Sequence, residues 1–177
     1  MNIEPDGKDW TWVLLRPCPD CGFYTREPAR GDLASLARDV GSRWTAFLSD
    51  PADLGVRPRP GVWSPLEYAC HVRDVFALAD YRVRLMLSED DPLFANWDQD
   101  ATAIESDYAS ADADEVRLAL ARTAEGFAVA LEAVPDDAWE RPGRRGDGAS
   151  FTIDSFARYL LHDPIHHLTD VTGERWG

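Results

Sequence analysis

Apolar residues recur every three to four positions in four stretches of the chain, which is the spacing of amphipathic helices. The first stretch follows Asp32, a residue suited to capping a helix, and ends before Asp50. Its apolar positions are Leu33, Leu36, Val40, Trp44, Phe47 and Leu48. The pattern predicts one helix with a single buried face.

The second stretch carries the clearest helix start in the sequence. Ser64 can cap it, Pro65 suits the first helical position, and Glu67 completes a capping box. The helix is predicted from Pro65 to about Leu87. Its apolar residues lie on almost every side, so we expect it at the centre of the molecule.

The third helix is predicted from Ala113 to Val134, and the fourth begins near Ser150 or Thr152. No alternating pattern of useful length predicts a strand. We therefore expect an all-α four-helix bundle around one core, formed by residues 32–177 and preceded by an irregular arm, residues 1–31.

The connection between the second and third helices, residues 90–110, is long for a bundle. Phe94, Trp97 and Tyr108 predict that it packs on the body, where it either covers the mouth of a site or forms an ordered loop without a function.

The net charge of the chain limits which binding partners are expected. The 32 acidic and 18 basic residues give a formal charge of −14, which disfavours nucleic acid and anionic lipid. Neither a membrane span nor a secretory signal is evident. A cytoplasmic protein is expected.

Three cysteines are present, and two of them, Cys18 and Cys21, have the CxxC spacing of a zinc or redox site. Structural zinc sites use four ligands, and the chain has no second CxxC. The motif is consistent with half of a metal site or with an inert pair.

The stretch LLHDPIHH, residues 160–167, holds three of the four histidines. On a helical wheel, Asp163 and His167 continue the apolar row, whereas His162 and His166 point to the opposite side, towards water or another subunit. An inward carboxylate needs a partner or a metal. Together with His71 from the second helix, Asp163 and His167 would make a three-ligand site with open positions.

The sequence also allows other interpretations of these histidines and of Asp163. His71 could be a hydrogen-bonded core histidine, and Asp163 could pair with an arginine such as Arg82. His162 and His166 would become the metal-binding pair if Pro164 rotated the helix, and a kink or π-type irregularity is expected there.

The combination of VWSPLEYACHVRDV with LLHDPIHHLTDV resembles the DinB/YfiT-like superfamily, which includes mycothiol-dependent maleylpyruvate isomerases. The resemblance covers residues 32–172. It implies an up-down-down-up bundle with one metal, bound by a histidine of the second helix and an HxxxH or ExxxH pair of the fourth. His71 and His167 match that pattern, and Asp163 stands where relatives have histidine or glutamate.

The resemblance implies a metal-dependent S-transferase or isomerase that uses a small thiol such as mycothiol and acts on an electrophile. Zinc is the expected metal, with nickel or iron as alternatives. A metal-dependent hydrolase and a non-catalytic metal-binding or stress-related scaffold are the other functions considered. Family members often form homodimers, and Trp10, Trp12, His162 and His166 are the residues expected at such an interface.

Overall fold

The computed structural model describes residues 9–50 and 52–177. The first eight residues of the predicted arm lie outside this part of the chain. The described helices are α1 (Leu33–Phe47), α2 (Pro65–Ser88), α3 (Gln99–Glu105), α4 (Ala113–Glu132) and α5 (Ile153–Thr172). The bundle consists of α1, α2, α4 and α5, so the predicted all-α bundle fold is confirmed.

The four long helices surround one core. Helices α4 and α5 each pack against both α1 and α2. Helix α2 is buried along most of its length, as its apolar pattern predicts. The buried Trp44 of α1 donates a hydrogen bond from Nε1 to the carbonyl oxygen of Pro164, 2.9 Å away, and so links α1 to α5 beside the proline.

Local signals define two of the helix starts. Ser64 accepts a hydrogen bond from Glu67 N, and the Glu67 carboxylate accepts one from Ser64 N, forming the predicted capping box. Arg57 pairs with the same buried carboxylate. Asp32 does precede α1, but its side chain makes no capping hydrogen bond, because a 3-10 turn (Arg30–Asp32) leads into the helix instead.

A small sheet, absent from the sequence prediction, closes one side of the bundle. Its strands are β1 (Leu93–Phe94), β2 (Pro142–Arg145) and β3 (Ser150–Thr152). Strand β2 is central, parallel to β1 and antiparallel to β3, with Leu93 opposite Arg144 and Gly143 opposite Phe151. A Cβ atom on Gly143 would lie 2.6 Å from the Phe94 ring, so only glycine fits at this crossing.

The connection between α2 and α4 packs on the body as predicted. It contains β1, α3 and a 3-10 turn (Tyr108–Ser110). Phe94 and Tyr108 are buried, and the Tyr108 hydroxyl donates to the carboxylate of Asp74 on α2. Trp97 packs against the core with part of its ring exposed.

The arm is bound to the bundle by polar and apolar contacts. Arg158 of α5 donates hydrogen bonds to the carbonyl oxygens of Thr25 and Pro28, 2.7 and 2.9 Å away. Trp176 N donates to the carbonyl oxygen of Cys21. Cys18, Cys21 and Phe23 belong to the same core cluster as the helices.

Among the described residues, no helix is both long and apolar enough to cross a membrane.

Candidate metal centre

Three donor side chains from two helices meet near the middle of the bundle. His71 projects from α2, and Asp163 and His167 project from successive turns of α5. One ligand atom from each lies within 4.8 Å of the other two. His71 Nε2 is 3.1 Å from Asp163 Oδ1, and His167 Nε2 is 3.8 Å from the same oxygen.

The distances fit a small divalent ion. A tetrahedral ion with bonds of about 2.0–2.1 Å separates a nitrogen and an oxygen ligand by about 3.4 Å, and the two measured distances lie on either side of that value. Two imidazoles and one carboxylate are a donor set that zinc, nickel and iron accept. Three protein ligands leave at least one coordination position for another molecule.

The orientation of His167 is fixed by a carboxylate. Its Nδ1 donates a hydrogen bond to Asp170 Oδ2, 2.8 Å away. With the proton on Nδ1, the lone pair of Nε2 points towards Asp163, which is the arrangement that metal-binding histidines show when a second carboxylate supports them. His71 Nδ1 is buried and makes no hydrogen bond within the described residues, so the polar contact of that ring is on the Asp163 side.

Aromatic rings enclose the buried histidine. Trp97 stacks on His71 with the ring centroids 5.3 Å apart and the planes within 10° of parallel. Trp63 contacts the same ring at 5.2 Å, and Tyr68 packs on His167 at 4.8 Å. These rings keep water away from the fully buried His71.

A cavity of about 820 Å³ opens above the cluster. Asp163 and His167 lie in its wall, and the Asp163 side chain is 35% exposed there rather than buried among apolar residues. Its wall also includes His162 and His166, five further aspartates, one guanidinium and several aromatic rings: Asp20, Asp98, Asp100, Asp147, Asp170, Arg145, Trp10, Trp63, Tyr68, Trp97 and Tyr159. The cavity is large enough for a small molecule to reach the ligand atoms.

Electrostatics keep the carboxylate ionised. Partial removal from water by itself raises the pKa of Asp163, but the positive charges that His71 and His167 carry when protonated, with the hydrogen bond to His71, outweigh that effect and hold the pKa well below its usual range. The carboxylate is therefore available as a negatively charged ligand at neutral pH.

The pairing of Asp163 with Arg82 is not observed. The Arg82 guanidinium donates to the carbonyl oxygen of Ala95, 2.8 Å away, and lies over the Phe94 ring. Helix α5 is α-helical throughout, without the π-type irregularity expected at Pro164. The register of the Asp163 and His167 pair is therefore the one that the regular helical wheel gives.

His162 and His166 were expected to face water or another subunit, and the expectation of water is wrong for His162. The arm covers much of both rings: His162 is 3% exposed, His166 is partly buried, and the Trp10 ring lies 5.6 Å from His162 and 5.0 Å from His166. Beneath the arm they meet both cysteines of the CxxC motif. The signal that could have identified this second cluster is the combination of CxxC with HxxxH, which together supply four ligands.

Burial shifts the pKa values of two side chains of this second cluster. It raises the pKa of the Cys21 thiol to about 12 and lowers the pKa of His162 to about 4. All three cysteines of the chain are buried as free thiols.

Comparison with solved structures shows the fold. YfiT from Bacillus subtilis, a probable metal-dependent hydrolase with an unusual four-helix bundle topology, superposes with a TM-score of 0.69 at 18% identity. The alignment covers 84% of this chain and 93% of YfiT. The mycothiol-dependent maleylpyruvate isomerase superposes with a TM-score of 0.64 at 19% identity, over 84% of this chain and 62% of the isomerase.

At these identities the likenesses establish the architecture alone. No curated protein matches the sequence. The model of the DinB superfamily matches residues 27–171, which include α1, α2, α4 and nearly all of α5, together with all three residues of the candidate centre. The chain belongs to the DinB superfamily.

Proposed function

We propose that this protein is a metal-dependent enzyme of the thiol S-transferase or isomerase class, with one divalent ion held by His71, Asp163 and His167. Zinc is the first expectation, and a small thiol of the mycothiol type is the expected co-substrate. The observation that carries the proposal is the meeting of the three donors in the wall of an open cavity of about 820 Å³. The likeness to a mycothiol-dependent isomerase supports the thiol class.

A divalent ion at this place supplies a positive charge that stabilises a thiolate or polarises an electrophile at neutral pH. The chain's own residues prepare the site for it. Asp170 holds the His167 proton on Nδ1, so Nε2 keeps its lone pair free to bind a metal ion. Trp63 and Trp97 hold the His71 ring in a dry environment.

The cavity also has groups that can position a substrate. Arg145 lies in its wall, where it donates to Tyr159 Oη at 2.9 Å and pairs with Asp147. A guanidinium held in this way can bind an acidic group of a substrate, while Trp97 and Tyr68 offer flat apolar surfaces. The cavity thus suits a small molecule with both polar and apolar parts.

The test uses chelator-stripped protein reloaded with zinc and supplied with mycothiol and a chromogenic electrophile. We expect thiol-dependent turnover that falls at least about 100-fold in Asp163→Asn and His167→Ala, because the first change removes the charge of the carboxylate ligand and the second removes an imidazole ligand. Asp114→Asn is the matched control, since that carboxylate is 84% exposed on α4.

Three outcomes would overturn the proposal. Equal turnover in Asp163→Asn and Asp114→Asn would exclude the assigned ligand set. Metal binding without any thiol-dependent reaction would exclude the transferase class, and turnover that needs only water would assign the site to a hydrolase.

A further inference from the structure

A second cluster of metal-binding side chains lies beside the candidate centre. Cys18 and Cys21 come from the arm, and His162 and His166 come from α5. One sulfur or ring nitrogen from each residue lies within 4.8 Å of those of the other three. The cluster is distinct from the three-residue centre, since the two share no ligand side chain.

The arm presents both cysteines on one tight turn. Gly22 N donates to the carbonyl oxygen of Cys18, and Cys18 N donates to that of Phe23, both at 2.9 Å. Gly22 has a φ of +84°, a conformation that side-chain-bearing residues rarely adopt, and this allows the chain to reverse directly after Cys21. Both thiols are buried by this turn.

Helix α5 presents the two imidazoles one turn apart, on the side facing the arm. Nε2 of His162 is buried and makes no hydrogen bond within the part of the chain that the structure describes. A buried ring nitrogen without a partner costs about 1–3 kcal/mol, and coordination to a cation would remove that cost. This orphaned atom is evidence for a ligand beyond the proximity of the four side chains.

The separation between Cys18 and His166 matches coordination. Cys18 Sγ lies 3.6 Å from His166 Nδ1. A tetrahedral zinc ion with Zn–S of about 2.3 Å and Zn–N of about 2.0–2.1 Å places sulfur and nitrogen about 3.5–3.6 Å apart. A thiol hydrogen bond could give the same distance for this pair, but it would not account for Cys21 and the orphaned His162 nitrogen at the same point.

The opposite nitrogen of His166 faces a carboxylate. His166 Nε2 lies 3.9 Å from Asp170 Oδ2. Coordination through Nδ1 would leave the Nε2 proton on the side of this negative charge, at a distance longer than a direct hydrogen bond. Asp170 therefore lies between the histidines of the two clusters.

We propose that Cys18, Cys21, His162 and His166 bind a structural zinc ion that fastens the N-terminal arm to α5. Two thiolates and two imidazoles, without a carboxylate, favour zinc over magnesium or calcium. Four protein ligands complete a tetrahedron and leave no open position, so this ion supports the structure and does not react. Binding releases the two thiol protons to solvent.

The site would also shape the neighbouring cavity. Trp10 contacts both histidines of the cluster and forms part of the cavity wall. An ion that holds the arm on α5 would therefore hold that wall in place. This role is distinct from the proposed chemistry at His71, Asp163 and His167.

The experiment is a metal count combined with cobalt substitution. Zinc-loaded wild-type protein should contain two ions per chain, and Cys18→Ser should contain one. The cobalt-loaded wild type should show the near-ultraviolet charge-transfer absorption of thiolate bonded to cobalt. Cys18→Ser should lose most of that absorption, and Asp163→Asn should retain it.

Cys70→Ser is the matched control, because Cys70 is the third buried thiol and lies outside both clusters. An unchanged metal count in Cys18→Ser, or a cobalt-loaded wild type without a thiolate band, would overturn the proposal. The second result needs no variant, so misfolding of Cys18→Ser cannot leave the question open. Loss of one ion in Asp163→Asn with the thiolate band intact would separate this site from the proposed catalytic one.

Discussion

Asp170 determines which nitrogen of His167 is available to a metal. Asp170 Oδ2 accepts a hydrogen bond from His167 Nδ1, 2.8 Å away, and the lone pair of His167 Nε2 then points towards Asp163. We expect Asp170→Asn to weaken metal binding at the three-residue centre roughly 10–100-fold, because a neutral amide supports the imidazole less than a carboxylate does. Competition with a fluorescent chelator measures this affinity.

The measurement is cleanest in a Cys18→Ser background, where the second cluster cannot contribute a bound ion. Asp114→Asn in the same background is the control, since Asp114 lies on the exposed face of α4. If both variants bind metal equally, Asp170 has no supporting role and the orientation of His167 has another cause.

At the scale of single residues, the helical wheel predicted some features and missed others. The wheel uses the angle of each side chain around the helix axis. It placed Asp163 and His167 in one group and His162 and His166 in another, and the two candidate clusters divide in the same way, but Asp163 is the more exposed residue and His162 the more buried one. It cannot show what covers a face. His162 is buried because an arm more than 130 residues earlier in the chain packs on it, a contact that the local pattern does not contain.

At the scale of helices, a tight contact between α1 and α4 depends on a glycine. A Cβ atom on Gly41 would lie 2.6 Å from Cβ of Ala124, and neither backbone can move without disturbing the core. We expect Gly41→Ala to lower the free energy of unfolding by about 1–3 kcal/mol, the usual cost of overpacking. Urea denaturation followed by circular dichroism measures it.

Gly126→Ala is the matched control within α4. Its new Cβ would meet only Asp80 Cγ, at 4.0 Å, so the gain in helix propensity should prevail and stabilise the protein by up to about 1 kcal/mol. A loss of stability in both variants would point to a general intolerance of added volume and would count against the specific α1–α4 contact.

The sequence predicted the bundle helices closely because their signals are local. The third was predicted at Ala113–Val134 and is observed at Ala113–Glu132, and the Ser64 capping box fixed the start of α2. The sheet was missed because its strands span only two to four residues, too few for an alternating pattern. Its pairing of Leu93 with Arg144 depends on the assembled helices.

At the scale of the whole molecule, the arm and the bundle share one core. The proposed boundary at residue 31 remains a prediction, and the arm's Cys18, Cys21 and Phe23 pack in the same cluster as the helices. The aromatic and histidine residues considered for a dimer interface contact one another within a single chain, as Trp10 does with His162 and His166. The homodimer likewise remains a prediction.

If the arm contributes to global stability, its buried and exposed residues should respond differently to the same kind of change. Val13 is fully buried, whereas Leu15, two residues later, is 70% exposed. We expect Val13→Ala to cost about 2 kcal/mol, from lost apolar burial and the cavity it leaves, and Leu15→Ala to change stability by less than about 0.5 kcal/mol. Urea unfolding of both zinc-loaded variants, monitored by helix content, measures the difference. Helix content reports the unfolding of the bundle. A lower urea midpoint for Val13→Ala than for Leu15→Ala would therefore mean that arm and bundle unfold together. Equal midpoints for the two variants would mean that the arm detaches before the bundle unfolds.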